Sequence, residues 1–249
     1  MLTELDPISD TTSMTSRVHQ ALLASILSGR LAPGEPLRLT ALSREFQVSM
    51  TVIREALFRL AEQRLVTMAV NQGFRVTEVS RKDLIDLTEV RLDIEVAALR
   101  RSVERGDVAW QSRVVAAHHV LANTEIGSPQ WSAAHQTFHE ALCEACDNPR
   151  MIAITRNLRN SAEVYRQLYG WHANEPKRDL SDEHRRLMEA ALGRDAEAAG
   201  ALLREHLEKT RDALLRTGFV GGPDPKNDQH RPETVSNKIE RSVADGNNA

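Results

Sequence analysis

Residues 40–76 read TALSREFQVSMTVIREALFRLAEQRLVTMAVNQGFRV, and the order of features along them decides the fold. TALSREF is a short helix with Thr40 as its cap and Leu42 and Phe46 as its apolar contacts. Gln47-Val48-Ser49 breaks it. Ser49 then caps a longer helix, MTVIREALFRLAEQ, whose Val52, Ile53, Leu57 and Leu60 share one face. Two β-prone runs follow, LVTMAV and GFRVTEV, and the Asn71-Gln72-Gly73 between them is hairpin chemistry.

Upstream, VHQALLASILSGRL places Val18, Leu22, Leu23, Ile26 and Leu27 at helical spacing, and Gly29 with Pro33-Gly34 stops that helix. Three helices and a hairpin within about 60 residues is the plan of a winged helix-turn-helix. Downstream no strand pattern recurs. Helical periodicity runs through Lys82–Glu104, Val108–Glu125, Trp131–Cys146, Arg150–Tyr169, Asp179–Leu192 and Asp195–Arg216. The breaks between these stretches are short, which predicts antiparallel neighbours and an all-α bundle. The chain is therefore expected to be mainly α: a winged helix-turn-helix over 14–78 and a helical domain over 79–217. The polar first 13 residues and the Gly-, Pro- and Asn-rich segment 218–249 are expected to be disordered.

Composition excludes several classes. A chain of 249 residues with 41% hydrophobic and 27% charged residues is that of a globular protein. It holds no apolar run long enough for a transmembrane helix, and MLTELDPISDTTS lacks the basic and apolar regions of a secretory leader. Two cysteines, Cys143 and Cys146, cannot make a disulfide scaffold, so a reducing, cytoplasmic setting is the default. CxxC without partners is a weak metal or redox signal. The net charge of −3 is unevenly spread: Arg17–Val76 holds eight arginines and four glutamates, +4, which leaves −7 on the rest. A basic module on an acidic body suits a polyanion partner, although an Arg-rich solvated face fits the same count.

In a helix-turn-helix the amino end of the second helix enters the major groove. Here that end is Ser49-Met50-Thr51-Val52-Ile53-Arg54. Ser49 and Thr51 carry short hydroxyls suited to phosphate, and Arg54 can reach a guanine edge or pair with a nearby glutamate. Gln72 and Gly73 at the wing tip, with Arg75 behind, can lie along the backbone or in the minor groove. Arg44 can add a phosphate contact; for Arg38 and Arg59 a solvated role is an equal alternative.

These residues carry a resemblance. GRLAPGEPL, ALSREFQVS, IREALFRLAEQRLV and NQGFRV look like the DNA-binding domain of the GntR family of bacterial transcription regulators. EVSRKDLIDLTEVRLDIEVAALR and TFHEALCEACDNPRM resemble the FCD-type helical effector domain of its FadR-like subgroup. The two together cover roughly residues 16–216. Three positions depart from the family pattern: Met50 and Gln72 stand where the family usually has arginine, and Arg64 where it usually has glycine. Arg54 and Gly73 match. The resemblance implies DNA binding with a thinner base-reading set, leaning more on phosphates.

His135 and His139 are i and i+4, on one helix face, and His184 and His206 lie on the last two helices. Three or four imidazoles can close a site for zinc, nickel, copper or iron, while HxxxH alone equally describes surface or core histidines. The resemblance implies more. Metal-binding members of the subgroup use Asp-x-x-x-His plus two later histidines; His139, His184 and His206 fall on the histidine positions and His135 on the aspartate position. A fourth nitrogen would tilt the site toward a divalent ion such as zinc first, or nickel; alternatively His135 swings away. One negative charge fewer favours an anionic effector. Arg91 and Glu95 match a recurring pair of the subgroup, in which Arg91 can hold an effector carboxylate or form a structural salt bridge with Glu95.

The resulting expectation is a regulator, not an enzyme. It would be a homodimer on a double-stranded DNA operator, with a repressor the commoner implication. A small organic acid would bind its helical domain at a divalent metal site. Two alternatives stand beside it: a metal-dependent enzyme built on the histidines, and the same regulator without a metal. HExxH, a nucleophile elbow and a Gly-rich phosphate loop are all absent from the sequence. Glu140 and Glu183 adjoin histidines in sequence, which is expected to turn them to other helix faces.

Overall fold

A computed structural model describes residues 13–69, 73–169 and 178–216. Gln72, the first twelve residues and the segment 218–249 lie outside them. The chain begins with α1 (Met14–Leu27), β1 (Pro36–Leu37), α2 (Leu39–Phe46), α3 (Met50–Glu62), β2 (Val66–Ala69) and β3 (Gly73–Val76). The strands form one antiparallel sheet in the order β1-β3-β2, with Leu37 opposite Phe74 and Val66 opposite Val76. β1 is a finding, since two residues are too few to show a period. Thr40 does not cap α2: the helix starts a residue earlier, at Leu39, and Arg38 takes the cap position without a side-chain bond. Ser49 does cap α3, accepting the Val52 amide at 3.4 Å.

The bundle comprises α4 (Arg81–Arg105), α5 (Val108–Ala122), α6 (Pro129–Cys143), α7 (Pro149–Tyr169), α8 (Leu180–Leu192) and α9 (Ala196–Arg216). The sequence stretch Trp131–Cys146 splits in two, because Glu144–Cys146 tightens into a 3-10 turn before Asp147 turns left-handed at φ 53°. Local chemistry sets the helix starts: Ser80, Asp107, Ser128 and Asp179 each accept an amide of the first turn. Asn148 accepts the Arg150 and Met151 amides in the same way at the start of α7. α4 runs along α9, with α6 and α7 also against it.

Buried apolar residues fall into two clusters. One gathers Val18, Leu22, Ile26, Ile53, Leu57, Leu60 and Phe74; the other Leu99, Trp110, Phe138, Leu142, Leu187 and Leu203. At roughly 1.5–3 kcal/mol per fully buried side chain, each cluster is a substantial driving force for its own helices. Val164 of α7 belongs to the first cluster although its helix belongs to the bundle, so α7 is where the two halves meet. No described helix is long and apolar enough to cross a membrane.

Candidate functional site

The four singled-out histidines come together. His135 and His139 project from α6, His184 from α8 and His206 from α9, and one ring nitrogen of each lies within 4.8 Å of all the others. Adjacent rings are 4.5 Å apart for His135 and His139 and 4.9 Å for His184 and His206. All four are at most 4% exposed. Such a packing of imidazoles is unstable as a set of cations. Burial pushes the pKa of each ring down, and for His135, His139 and His184 the neighbouring histidines push further. Burial also lowers His206, with Glu183 pulling the other way. The rings therefore present neutral lone pairs.

The donor set fits a metal ion. His135 Nδ1, His139 Nε2 and His184 Nε2 are buried nitrogens with no hydrogen-bond partner, which otherwise costs about 1–3 kcal/mol each. Neutral imidazole is a ligand for zinc and its neighbours in the transition series. His135 is turned inward beside the other three, in the place where the resemblance sets an aspartate. The Trp131 indole stacks on it at 4.7 Å with the planes 22° apart, which fixes the ring. Trp131 is thus a core residue with a positioning role that spacing did not reveal.

Glu183 is a correction. Adjacency to His184 was expected to turn it away, yet its Oε2 lies 2.8 Å from His206 Nδ1. The contact runs across helices, 23 positions away, where helix-face reasoning from one segment does not reach. Burial would raise the Glu183 carboxyl, but Arg178 and His206 outweigh it and hold it well below the usual carboxylate range. Glu140 instead pairs with Arg156 at 3.0 Å, toward the surface.

A second buried layer surrounds the histidines. Arg91 Nε donates to Glu95 Oε1 at 2.6 Å, and Arg159 Nη1 reaches Glu95 Oε2 at 3.2 Å. Arg166 donates to Glu163 Oε2 at 2.6 Å. Arg91, Glu95, Arg159, Glu163 and Arg166 are at most 4% exposed, and three guanidiniums face two carboxylates. Burial alone would raise the Glu95 carboxyl; Arg91 and Arg159 outweigh it and keep it ionised. Arg91 thus takes up the salt bridge anticipated with Glu95, at the edge of the histidine set. Arg159 and Arg166 gave no sequence signal, because their partners sit inside a helix bundle whose register a single sequence does not show.

The winged module exposes a second face. Ser49, Met50, Thr51 and Arg54 at the amino end of α3 and Arg44 on α2 are all exposed. Among the described residues no carboxylate pairs with Arg54. Arg59 is instead held by Glu55 at 2.7 Å, and Arg75 donates to the Gly34 carbonyl at 2.9 Å, which turns both back onto the protein. Gly73 opens β3 at φ 73° with open space where a Cβ would stand, so the position asks for glycine's backbone freedom rather than its size. Cys143 and Cys146 are free and buried, and Arg159 Nη1 lies 3.8 Å from Cys143 Sγ.

Comparison with known proteins agrees with both halves. Residues 14–76 match the family described as bacterial regulatory proteins, gntR family, and residues 86–209 match the FCD domain. The chain is 36% identical over 222 residues to the HTH-type transcriptional regulator BphR of Paraburkholderia xenovorans, covering 86% of this chain and 90% of that protein. It is 30% identical over 198 residues to the HTH-type transcriptional repressor GlaR of Escherichia coli, covering 76% and 90%. Among solved structures, a GntR transcriptional regulator from Rhodococcus superposes with a TM-score of 0.70 at 26% identity, over 82% of this chain and 98% of that one. The chain belongs to the GntR family of transcriptional regulators, with a DNA-binding winged helix-turn-helix followed by an FCD domain, and it is not an enzyme.

Proposed function

We propose that the chain is a transcriptional repressor whose helical domain (79–217) binds a small carboxylate effector at a divalent metal centre and so controls operator binding by the winged domain (14–78). The observation that carries this is the convergence of four buried, neutral histidines, three of which carry a ring nitrogen without a hydrogen-bond partner, inside the FCD half of a DNA-binding chain. His135, His139, His184 and His206 would hold the ion. An all-nitrogen set favours zinc, with nickel next, over manganese or magnesium. The bound ion would supply positive charge, and with all four histidines in place a carboxylate oxygen would enter as a fifth ligand. The surrounding layer has one guanidinium more than carboxylates, so an anion in the site would be matched by Arg91, Arg159 or Arg166 rather than repelled. A carboxylate that drew on these arginines would compete with Glu95 and Glu163, and so bear on α4 and α7.

On the DNA side, Arg44, Ser49, Met50, Thr51 and Arg54 form the reading face, with Gln72 and Gly73 at the wing. GntR regulators bind operators as dimers, and two such faces on a homodimer would meet two half-sites. A mobility-shift assay with the DNA upstream of the chain's own gene, run with and without zinc and candidate organic acids, tests the reading. Sequence-selective binding relieved by one acid is expected; no selective binding under any condition would sink it.

A further inference from the structure

Of the four histidines, His206 is held differently. Its Nδ1 faces Glu183 Oε2 at 2.8 Å. That carboxylate is gripped from the other side by Arg178, whose Nε donates to Oε1 at 2.8 Å and whose Nη2 donates to Oε2 at 2.6 Å. The same Nη2 reaches the His206 carbonyl and Thr210 Oγ1, each at 3.2 Å, so one guanidinium ties the loop end before α8 to the α9 backbone. The Arg178 and Glu183 side chains are 7% and 11% exposed. Two groups face His206 Nδ1, the Glu183 Oε2 acceptor at 2.8 Å and the Arg178 Nη2 donor at 3.4 Å. An ionised carboxylate only accepts hydrogen bonds, and the much shorter contact is with it, so the proton sits on Nδ1. A neutral ring with its proton on Nδ1 leaves Nε2 as its lone pair, so Nε2 is the nitrogen that His206 has free to bind an ion.

We propose that Arg178 and Glu183 are positioning residues of the histidine centre, fixing the tautomer and the aim of His206 before an ion arrives. This rests on the metal reading above and adds to it two residues outside the four ligands. Carboxylates that accept the outer N–H of a ligating histidine tune affinity in just this way, and their loss typically costs 10–100-fold in metal binding. The arrangement also gives the centre an outward-facing edge. A recess of about 400 Å³, lined by Asp182, Glu183, Arg186 and Lys209, lies on the solvent side of the pair. Glu183 is thus the group through which the buried ring is in touch with the surface, and Lys209 Nζ stands 3.6 Å from its other oxygen.

The test uses the full chain and zinc alone as the probe. Metal-free wild type, Glu183→Ala, Glu183→Gln and Arg178→Lys are titrated with Zn²⁺ against a chromogenic chelator. Nitrogen-15 NMR of labelled histidines then reads the His206 tautomer before metal is added. Glu183→Ala is expected to weaken zinc 10–100-fold and to lose the single Nδ1–H tautomer. Glu183→Gln, which can still accept from Nδ1, should fall between, as should Arg178→Lys, which keeps the charge but not the two-pronged grip. A merely structural ion pair would lower melting temperature without moving the tautomer. If Glu183→Ala does not fold, Glu183→Gln decides by the same two readouts. Wild type that takes up no Zn²⁺ overturns the metal reading and the positioning role together. Wild type that binds Zn²⁺ while the folded variants bind it within twofold as tightly overturns the positioning role alone.

Discussion

The Tyr165 hydroxyl donates to the Asp83 carboxylate at 2.6 Å and accepts the Ser80 amide at 3.3 Å, which ties α7 to the first turn of α4. Its neighbour Val164 is buried in the winged-domain cluster, while Arg159, Glu163 and Arg166 on the same helix line the charge layer beside the histidines. One helix therefore touches the proposed effector site, the segment leading into α4 and the DNA-binding core. Tyr165→Phe removes both of these hydrogen bonds of a buried hydroxyl, and because Asp83 is exposed and regains water the net loss is about 1–2 kcal/mol. Thermal denaturation should show a fall of roughly 2–8 °C. An unchanged melting temperature would mean that water replaces the hydroxyl at no cost.

Arg64 sits at φ 60°, in the left-handed region, directly after α3 and before β2. This is the position where the family pattern sets glycine, and the backbone conformation is the reason. A non-glycine residue there costs about 1–2 kcal/mol, partly offset by the extra freedom glycine gives the unfolded chain. Arg64→Gly should therefore stabilise the protein by about 0.5–1 kcal/mol, read as a higher melting temperature. Destabilisation would show that the Arg64 side chain makes contacts worth more than the strain.

Cys143 is buried, and burial raises its thiol pKa to about 11 against the ordinary 9.0, with Arg159 opposing only in part. The thiol stays protonated at neutral pH, so native protein should not react with a thiol reagent at pH 8, and two thiols should appear on unfolding. Linkage gives the sign at high pH. The folded pKa lies above the unfolded one, so this group's stabilisation is complete below pH 9 and is lost as pH rises toward about 11. Cys143→Ala should flatten the alkaline decline in melting temperature relative to wild type. Rapid labelling of the native protein would contradict the burial.

The fold was legible because it is written in local signals. Ser49 before an apolar helix and Gly73 between two β-prone runs fixed the winged module. Short breaks at Gly106, Asp147 and Gly193 fixed the antiparallel helices. The histidine set was legible in part, since His135 and His139 share a face by spacing, but bringing His184 and His206 beside them needed the family resemblance. What escaped were contacts between helices whose relative rotation no single sequence shows. Glu183 lies on a helix face turned away from His184, and the turn that takes it from one histidine delivers it to another on α9. Arg159, Arg166 and Tyr165 escaped for the same reason: α7 is polar on faces that are buried.

His139→Ala with His184→Ala removes one ligand from α6 and one from α8 while leaving His135 and His206. Zinc should stabilise wild type by about 2.7 kcal/mol at a hundredfold excess over Kd, and the double variant by nothing measurable. Metal analysis after purification without a histidine tag should find a stoichiometric ion only in the wild type. The pH dependence of the metal-free form has a definite sign. Burial holds the native rings below 6.5, so the unfolded chain takes up protons first as pH falls below that value, and stability declines with it. The double variant lacks two of these rings and should lose less between pH 7 and pH 5. Equal zinc stabilisation of the two proteins would place the metal elsewhere.

Arg54 and Met50 divide the DNA contact into two separable parts. Arg54 lies one turn into α3, exposed and without a paired carboxylate among the described residues, where a guanidinium can reach a guanine edge in the major groove. Arg54→Ala should cost about 1–3 kcal/mol on the operator, a loss of roughly 5–150-fold, and much less on unrelated DNA. Met50 is 50% exposed at the first position of the same helix, where the positive end of the helix dipole meets phosphate but the side chain offers no charge. Met50→Arg should raise affinity for operator and unrelated DNA alike and steepen the salt dependence by about one unit per chain. Titrations at several salt concentrations on both DNAs separate the two. A selective gain from Met50→Arg would make position 50 a base reader, and an equal loss on both DNAs from Arg54→Ala would make Arg54 a phosphate contact.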